Sequence, residues 1–149
     1  MASRHEQICR TIAAQLDAAT FSCAIAVEAA TLPDVDRENL PASPVTVRVV
    51  PSQATTAAAV SRDSVIRRYS VDVGFLAPAD RDAGTDWTLL ELLEEIADAM
   101  QAVDQAEGKA AWLRTDMSPG LEAGFAVQEL RTKREFVGAI RLSYEWQPE

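Results

Sequence analysis

Few side chains in this sequence are of the types that carry chemistry, and they are widely spaced. His5 is the single histidine and lies near the N-terminus, in the first turn of a predicted helix. Because a catalytic base needs an orienting partner and a rigid support, we expect His5 to be an ordinary surface histidine. Cys9 and Cys23 fit neither a disulfide framework nor a Cys-x-x-Cys site. Each falls in an apolar segment, so both are predicted to be buried and structural rather than nucleophilic.

A cluster of carboxylates is the other feature that could do chemistry, as a metal site. It comprises Glu91, Glu94, Glu95 and Asp98. These residues lie opposite a leucine stripe on one predicted helix, with no histidine beside them, so a solvated helix face is expected. The six glycines form no phosphate-binding pattern, and no Gly-x-Ser-x-Gly elbow is present. The sequence therefore predicts no enzyme, no catalytic residue, no cofactor and no metal.

Charge is unevenly distributed along the chain. Residues 80–107 hold nine acidic residues and one basic residue, whereas residues 131–141 hold four basic residues and one acidic residue. A further three arginines, Arg62, Arg67 and Arg68, lie near the other long predicted strand, which starts at Val65. Either these segments are simply solvated faces, or an acidic patch on one copy meets a basic patch on the next. The candidate subunit-interface residues are Arg67, Arg68, Glu91, Glu95, Arg134 and Arg141.

Length and composition limit the class of protein. The 149 residues fit a single domain over 1–149, large enough to bury a core without a disulfide or metal. With 14 Lys and Arg against 23 Asp and Glu, the net charge of −9 argues against a sequence-specific nucleic-acid binder and against docking on an anionic membrane. No apolar run approaches 18 residues and the N-terminus shows no hydrophobic signal core, so neither a transmembrane helix nor secretion by a signal peptide is expected. With only two widely spaced cysteines, we expect synthesis in a reducing interior.

The pattern of apolar residues predicts the elements that position these groups. Ser3 and Glu6 form a capping box before a stripe at helical spacing, which predicts a helix over 4–18. The segment 21–30 is either a short strand or an irregular connection, and 32–41 is predicted to be a loop. A half-buried strand starts at Val45 and ends at Pro51, and 52–61 is predicted to be a mobile connection.

The second half of the chain contains the strongest predicted helix and three predicted strands, and the chain shows no internal repeat. A strand is predicted over 65–75. The helix after it starts with a Thr88–Glu91 capping box and a Trp87–Leu92 staple and has its C-cap at Gly108. A strand over 110–117, a turn at 118–120, an undecided segment 121–133 and a long strand over 136–146 follow. Strands bunched in pairs between helices indicate an α+β fold. We expect an antiparallel sheet of about four strands with helices packed on one face.

Three of these segments together resemble a known family, the tail terminator (tail completion) proteins of long-tailed bacteriophages and prophages. They are residues 68–74 (RYSVDVG), 89–98 (LLELLEEIAD) and 134–145 (REFVGAIRLSYE). The order and spacing of the three segments carry the resemblance, together with the leading helix and the Leu32-Pro33 loop. The stretches 54–59 and 122–130 match no pattern of the family.

The resemblance implies an α+β subunit of a virion, made in the cytoplasm of a bacterial host. It implies a homohexameric ring at the top of the tail, which stops polymerisation of the tail tube and joins the tail to the head connector. The implied partners are other copies of the chain, the tail tube protein and the connector. The family has no catalytic residues to carry over. Two alternatives stay open: a neck or head-closure protein that binds the connector, and a small ligand-binding or enzymatic domain with a pocket under the sheet.

Overall fold

The computed structural model describes residues 2–31, 41, 43–59, 65–78, 84–117 and 134–147. They form a mixed α+β fold with two helices and one five-stranded sheet, so the α+β class is confirmed and the count of about four strands is too low by one. In chain order the elements are α1 (Arg4–Ala18), β1 (Ile25–Ala29), β2 (Val45–Ala59), β3 (Val65–Pro78), α2 (Thr85–Met100), β4 (Ala110–Asp116) and β5 (Glu135–Trp146). The predicted turn at 118–120 and the segment 121–133 lie outside the described residues, as does the loop at 32–40.

Helix α1 has the predicted bounds because the predicted cap forms its hydrogen bond and the predicted apolar stripe is buried. The Ser3 side-chain oxygen accepts a hydrogen bond of 3.1 Å from the backbone N–H of Glu6. Ile8, Ile12 and Leu16 are fully buried. The helix therefore presents one continuous apolar stripe to the sheet.

The strand order in the sheet is β1-β2-β3-β5-β4. The pairs β2–β3, β3–β5 and β4–β5 are antiparallel, as expected, but β1 runs parallel to β2. The extra strand comes from the segment 21–30, which the sequence pattern left undecided. In β1 the half-buried Ile25, Val27 and Ala29 alternate with exposed residues, and a strand this short and small gives a weak signal.

Strand β2 continues well past Pro51, so the predicted mobile connection over 52–61 is wrong as far as Ala59. Residues 54–59 pair with 65–69 of β3, with register shifts between Pro51 and Ala54 and between Thr56 and Ala58. Proline cannot donate to a ladder and is tolerated at irregularities of this kind. Residues 54–59 are therefore kept extended by their pairing with β3 and not by their own small side chains.

Helix α2 starts earlier and ends earlier than its capping patterns predict. It begins at Thr85 after Gly84, which has a left-handed φ of 74° and makes no side-chain cap, so Thr88 lies inside the helix. The helix ends at Met100, and Gly108 (φ 85°) lies in the turns that precede β4 rather than at the C-cap. The Trp87–Leu92 staple is also wrong, because Leu92 is fully buried while Trp87 is 73% exposed.

One hydrophobic core lies between the helices and one face of the sheet. The strands contribute alternate residues, which include Val47, Val73 and Ile140, and both helices pack against them. The intervening residues form the opposite surface of the sheet, called here the second face. It carries Thr46, Arg48, Val50, Asp72, Gly74, Leu76, Val137, Ala139, Arg141 and Ser143. Within the described part of the chain, neither helix packs on the second face.

Candidate functional site

His5 is part of the packing of α1 and not the loose surface residue that its position suggests. Its ring is half-buried, its Nε2–H donates to the backbone carbonyl of Ser70 at 2.8 Å, and the ring packs edge-on against Tyr69 at 5.2 Å. Arg4 lies over the Trp146 ring at 5.1 Å. These contacts fix the first turn of α1 to strands β3 and β5. Among the described residues, no group of three or more His, Cys, Asp or Glu is placed to hold a metal ion.

Cys9 is buried in the core, which confirms the predicted burial of this thiol. Burial, with a smaller effect of the neighbouring Glu6 carboxylate, raises the pKa of Cys9 from 9.0 to about 11. Cys23 is only partly buried. Because the thiolate is the nucleophile, the two cysteines differ in reactivity.

We expect Cys9 to resist alkylation in the native protein. A pKa near 11 lowers the thiolate fraction at neutral pH about 100-fold, and burial slows access further. The measurement is iodoacetamide labelling at pH 8, read by intact mass, in a Cys23→Ser variant that keeps only Cys9. Urea-unfolded protein is the control. Labelling of the folded variant within tenfold of the unfolded rate would contradict this prediction.

The carboxylates of α2 divide into two groups. Glu91, Glu94 and Asp98 are exposed, as expected for a solvated helix face. Glu95 instead accepts hydrogen bonds from the backbone N–H of Ser22 at 3.1 Å and from its hydroxyl at 2.8 Å. Glu95 therefore ties the connection between α1 and β1 to α2.

Two of the candidate interface residues, Arg68 and Arg141, lie on the second face and form ion pairs with carboxylates on neighbouring strands. The Arg141 guanidinium donates to both carboxylate oxygens of Asp72 at 2.8 and 3.1 Å, and Arg68 donates to Glu145 at 3.2 Å. The hydrogen bond to Asp72 raises the pKa of Arg141, an effect that burial partly opposes. These two arginines are consequently less available to a neighbouring subunit than the sequence suggested.

Arg67 and Arg134 are exposed at the two ends of the sheet. Arg67 pairs in register with Trp146 at the last residue of β5, and Arg134 precedes the first residue of that strand. Arg62 and residues 80–83 and 131–133 of the charged segments lie outside the described residues.

The six candidate interface residues do not converge within one subunit. Glu91 and Glu95 belong to α2, in the helical layer, whereas Arg68 and Arg141 lie on the second face of the sheet. The sheet separates the two groups, so contact between the α2 carboxylates and these arginines requires two copies of the chain.

No protein-family model matches the sequence, and no curated protein matches it. No helix in the described ranges is long and apolar enough to span a membrane.

Two surface features escaped prediction from the sequence. One is the exposed indole of Trp87, which the sequence pattern assigned to a staple. The other is a depression of about 280 Å³ on the second face, between β2, β3 and β5. A signal for the depression exists, because Gly74 and Ala139, which line it and pair directly in register, are both small.

A buried polar cluster also escaped prediction. Gln105 is fully buried, and its Nε2 donates to Oε1 of Gln15 at 2.8 Å. The Tyr144 hydroxyl is buried beside it and makes no hydrogen bond of good geometry. Burial raises the pKa of Tyr144, with a smaller opposing effect of Gln105.

Replacing Tyr144 with phenylalanine is expected to be nearly neutral or to stabilise the protein by up to about 1 kcal/mol, because it removes a buried hydroxyl without a good partner. Urea unfolding followed by circular dichroism measures the change. A loss of more than about 1.5 kcal/mol would show that the hydroxyl has a favourable partner in solution and would contradict the prediction.

Proposed function

We propose that this protein is a structural component of a phage tail, a tail terminator whose copies form a ring that caps the tail tube and joins it to the head connector. The observation that carries the proposal is the position of the three family-like segments in the fold. Residues 68–74 lie in β3, residues 89–98 in α2, and residues 135–145 in β5. They are the central strand pair and the helix packed on β5, so the resemblance involves the framework of the domain.

The distribution of charge supports assembly from identical copies. Between Thr85 and Met100 helix α2 carries five carboxylates and no basic residue. The described arginines of β3 and β5 lie on the second face or at the ends of the sheet. A contact between two different surfaces of one chain is heterologous, and such contacts close into rings when the rotation between neighbours fits.

Direct imaging tests the proposal. Purified protein, alone and mixed with tail tubes, is examined by multi-angle light scattering and negative-stain microscopy. We expect rings that bind the tube end and stop its growth. A strict monomer that neither forms rings nor caps tubes would contradict the proposal. Binding to the connector but not to tubes would favour the head-closure alternative.

Arg134 is the best charge with which to probe assembly, because it is exposed and no described carboxylate pairs with it. We expect Arg134→Glu to weaken self-association about tenfold and to make it less dependent on salt. A charge at the edge of an interface acts mainly through long-range attraction, and salt screens that attraction. Sedimentation velocity between 50 and 500 mM NaCl measures both effects. Arg10→Glu, an equal charge change at an exposed residue of α1, is the control. Unchanged assembly of the Arg134 variant would contradict a role of Arg134 in the contact between copies.

A further inference from the structure

The indole of Trp87 is the most exposed large apolar side chain in the described residues, at 73%. It lies in the first turn of α2, close to the exposed carboxylates of Glu91 and Glu94. Tryptophan is enriched among the few residues that dominate protein interfaces, where its large ring fills a pocket on the partner. Its position at the surface, with its expected partner Leu92 in the core, makes it available to another molecule.

The depression on the second face has the chemistry to receive such a ring. Gly74 has no side chain and Ala139, its partner across the strands, has only a methyl group, so the sheet is hollow there. Val50, Leu76 and Val137 contribute apolar walls. The volume of about 280 Å³ is at the lower end of the range for ligand pockets, which suits one aromatic side chain better than a cofactor.

The charges around the two features are complementary. Arg48 lines the depression; its guanidinium donates to the backbone carbonyl of Val47 at 3.1 Å and lies 3.6 Å from the exposed carboxylate of Glu28. The Asp72 carboxylate in the same depression is neutralised by Arg141. The depression therefore offers an acidic helix a guanidinium that makes only a long ion pair within its own subunit, and that can also stack on an indole ring.

We propose that Trp87 of one copy inserts into this depression on the next copy and anchors a head-to-tail contact. The proposal rests on the proposed ring function and names the contact that builds the ring. The indole belongs to the helical layer and the depression to the opposite side of the sheet, so one subunit cannot fill its own depression. Each copy therefore offers one anchor and one receptor, which is the requirement for a ring.

Two variants separate the anchor from the receptor. Trp87→Ala removes the ring from an exposed position and leaves the depression intact. Ala139→Glu fills the depression with a carboxylate and leaves Trp87 intact; Val50→Glu serves the same purpose on a different strand if Ala139→Glu proves unstable. Leu113→Ala, at an exposed leucine of β4 outside the contact, is the control. Circular dichroism melts establish that each variant is folded.

Sedimentation velocity then gives the expected pattern. Trp87→Ala and Ala139→Glu should each weaken self-association by about 30-fold or more, as truncation of an interface anchor does, and Leu113→Ala should assemble like the original protein. An equimolar mixture of the two defective variants should form one-to-one dimers and nothing larger, because one intact anchor meets one intact receptor.

The outcomes distinguish this contact from the ring itself. If the original protein forms rings and Trp87→Ala forms them equally well, the Trp87 contact is wrong and the ring proposal stands. A mixture of the two variants that stays monomeric also overturns the contact. An original protein that stays monomeric under all conditions, with or without tubes, contradicts both proposals.

Discussion

Replacing Gly138 with alanine is expected to lower the free energy of unfolding by about 2 kcal/mol, although alanine is usually the better residue within a strand. A Cβ atom at this position would lie 3.0 Å from the ring of Phe75 and 3.2 Å from the ring of Phe136. The two rings are stacked, with centroids 5.5 Å apart, and both are buried. Neither ring can move aside without disturbing the core, so the added methyl group strains the packing.

Gly74 provides a matched control on the neighbouring strand. A Cβ atom there would meet only the backbone oxygen of Gly138, at 3.6 Å, which is an ordinary contact. Gly74→Ala is therefore expected to be neutral or to stabilise the protein by about 0.5 kcal/mol through lower entropy of the unfolded chain. Because both substitutions change the unfolded chain in the same way, their difference isolates the packing strain at Gly138.

Urea unfolding of both variants in the Trp87→Ala background keeps assembly out of the comparison. The two alanine variants should differ by about 2 kcal/mol, with Gly138→Ala the less stable. Equal stabilities would show that the Phe75–Phe136 stack yields without cost, and would contradict the role assigned to Gly138.

Reversing the charge of Arg141 should have the second large effect, a loss of about 2–3 kcal/mol of folding stability in Arg141→Glu. The substitution removes a two-pronged ion pair and places a carboxylate directly opposite Asp72, with Asp116 as its partner on the other side. The pair is about a third exposed or less, so water screens part of the repulsion.

The double reversal Asp72→Arg with Arg141→Glu tests whether charge pairing is the cause. It should recover about half of the loss, because the new pair forms while Asp116 still faces a carboxylate. Thermal and urea unfolding of the two single variants and the double variant give the coupling free energy. A double variant no more stable than Arg141→Glu alone would contradict the pairing. An assembly defect of Arg141→Glu would report damage to the fold, which is why Arg134 is the cleaner probe of the interface.

The elements with a long, regular apolar pattern could be predicted from sequence. Helix α1 has a cap and a stripe that agree, and β5 alternates over its whole length, so both were placed to within one residue. Strand β1 could not be, because it has only five residues and the three that face the core are only half-buried, which leaves almost no pattern. The extension of β2 depends on a partner strand, and the start of α2 at Thr85 depends on the left-handed backbone of Gly84 rather than on a side-chain cap.

The candidate surface was predictable in composition but not in geometry. The excess of carboxylates on α2 is visible in the sequence, as is the excess of arginine near β5. The register between β3 and β5 decides that Arg141 lies opposite Asp72, and this pairing joins residues 69 positions apart in sequence. Likewise, only the packing of Leu92 in the core shows that Trp87 has no staple partner and stays at the surface.

The strand order has a consequence for how the chain is made. β5 is the last described strand to be synthesised, yet it lies inside the sheet, between β3 and β4. Until β5 emerges from the ribosome, both β3 and β4 present an open edge, and the core lacks Phe136, Ile140, Leu142 and Tyr144. The depression is also absent, because one of its sides is β5. In the proposed contact, a chain whose β5 is unfinished therefore offers no depression to a neighbour, although its Trp87 is already made.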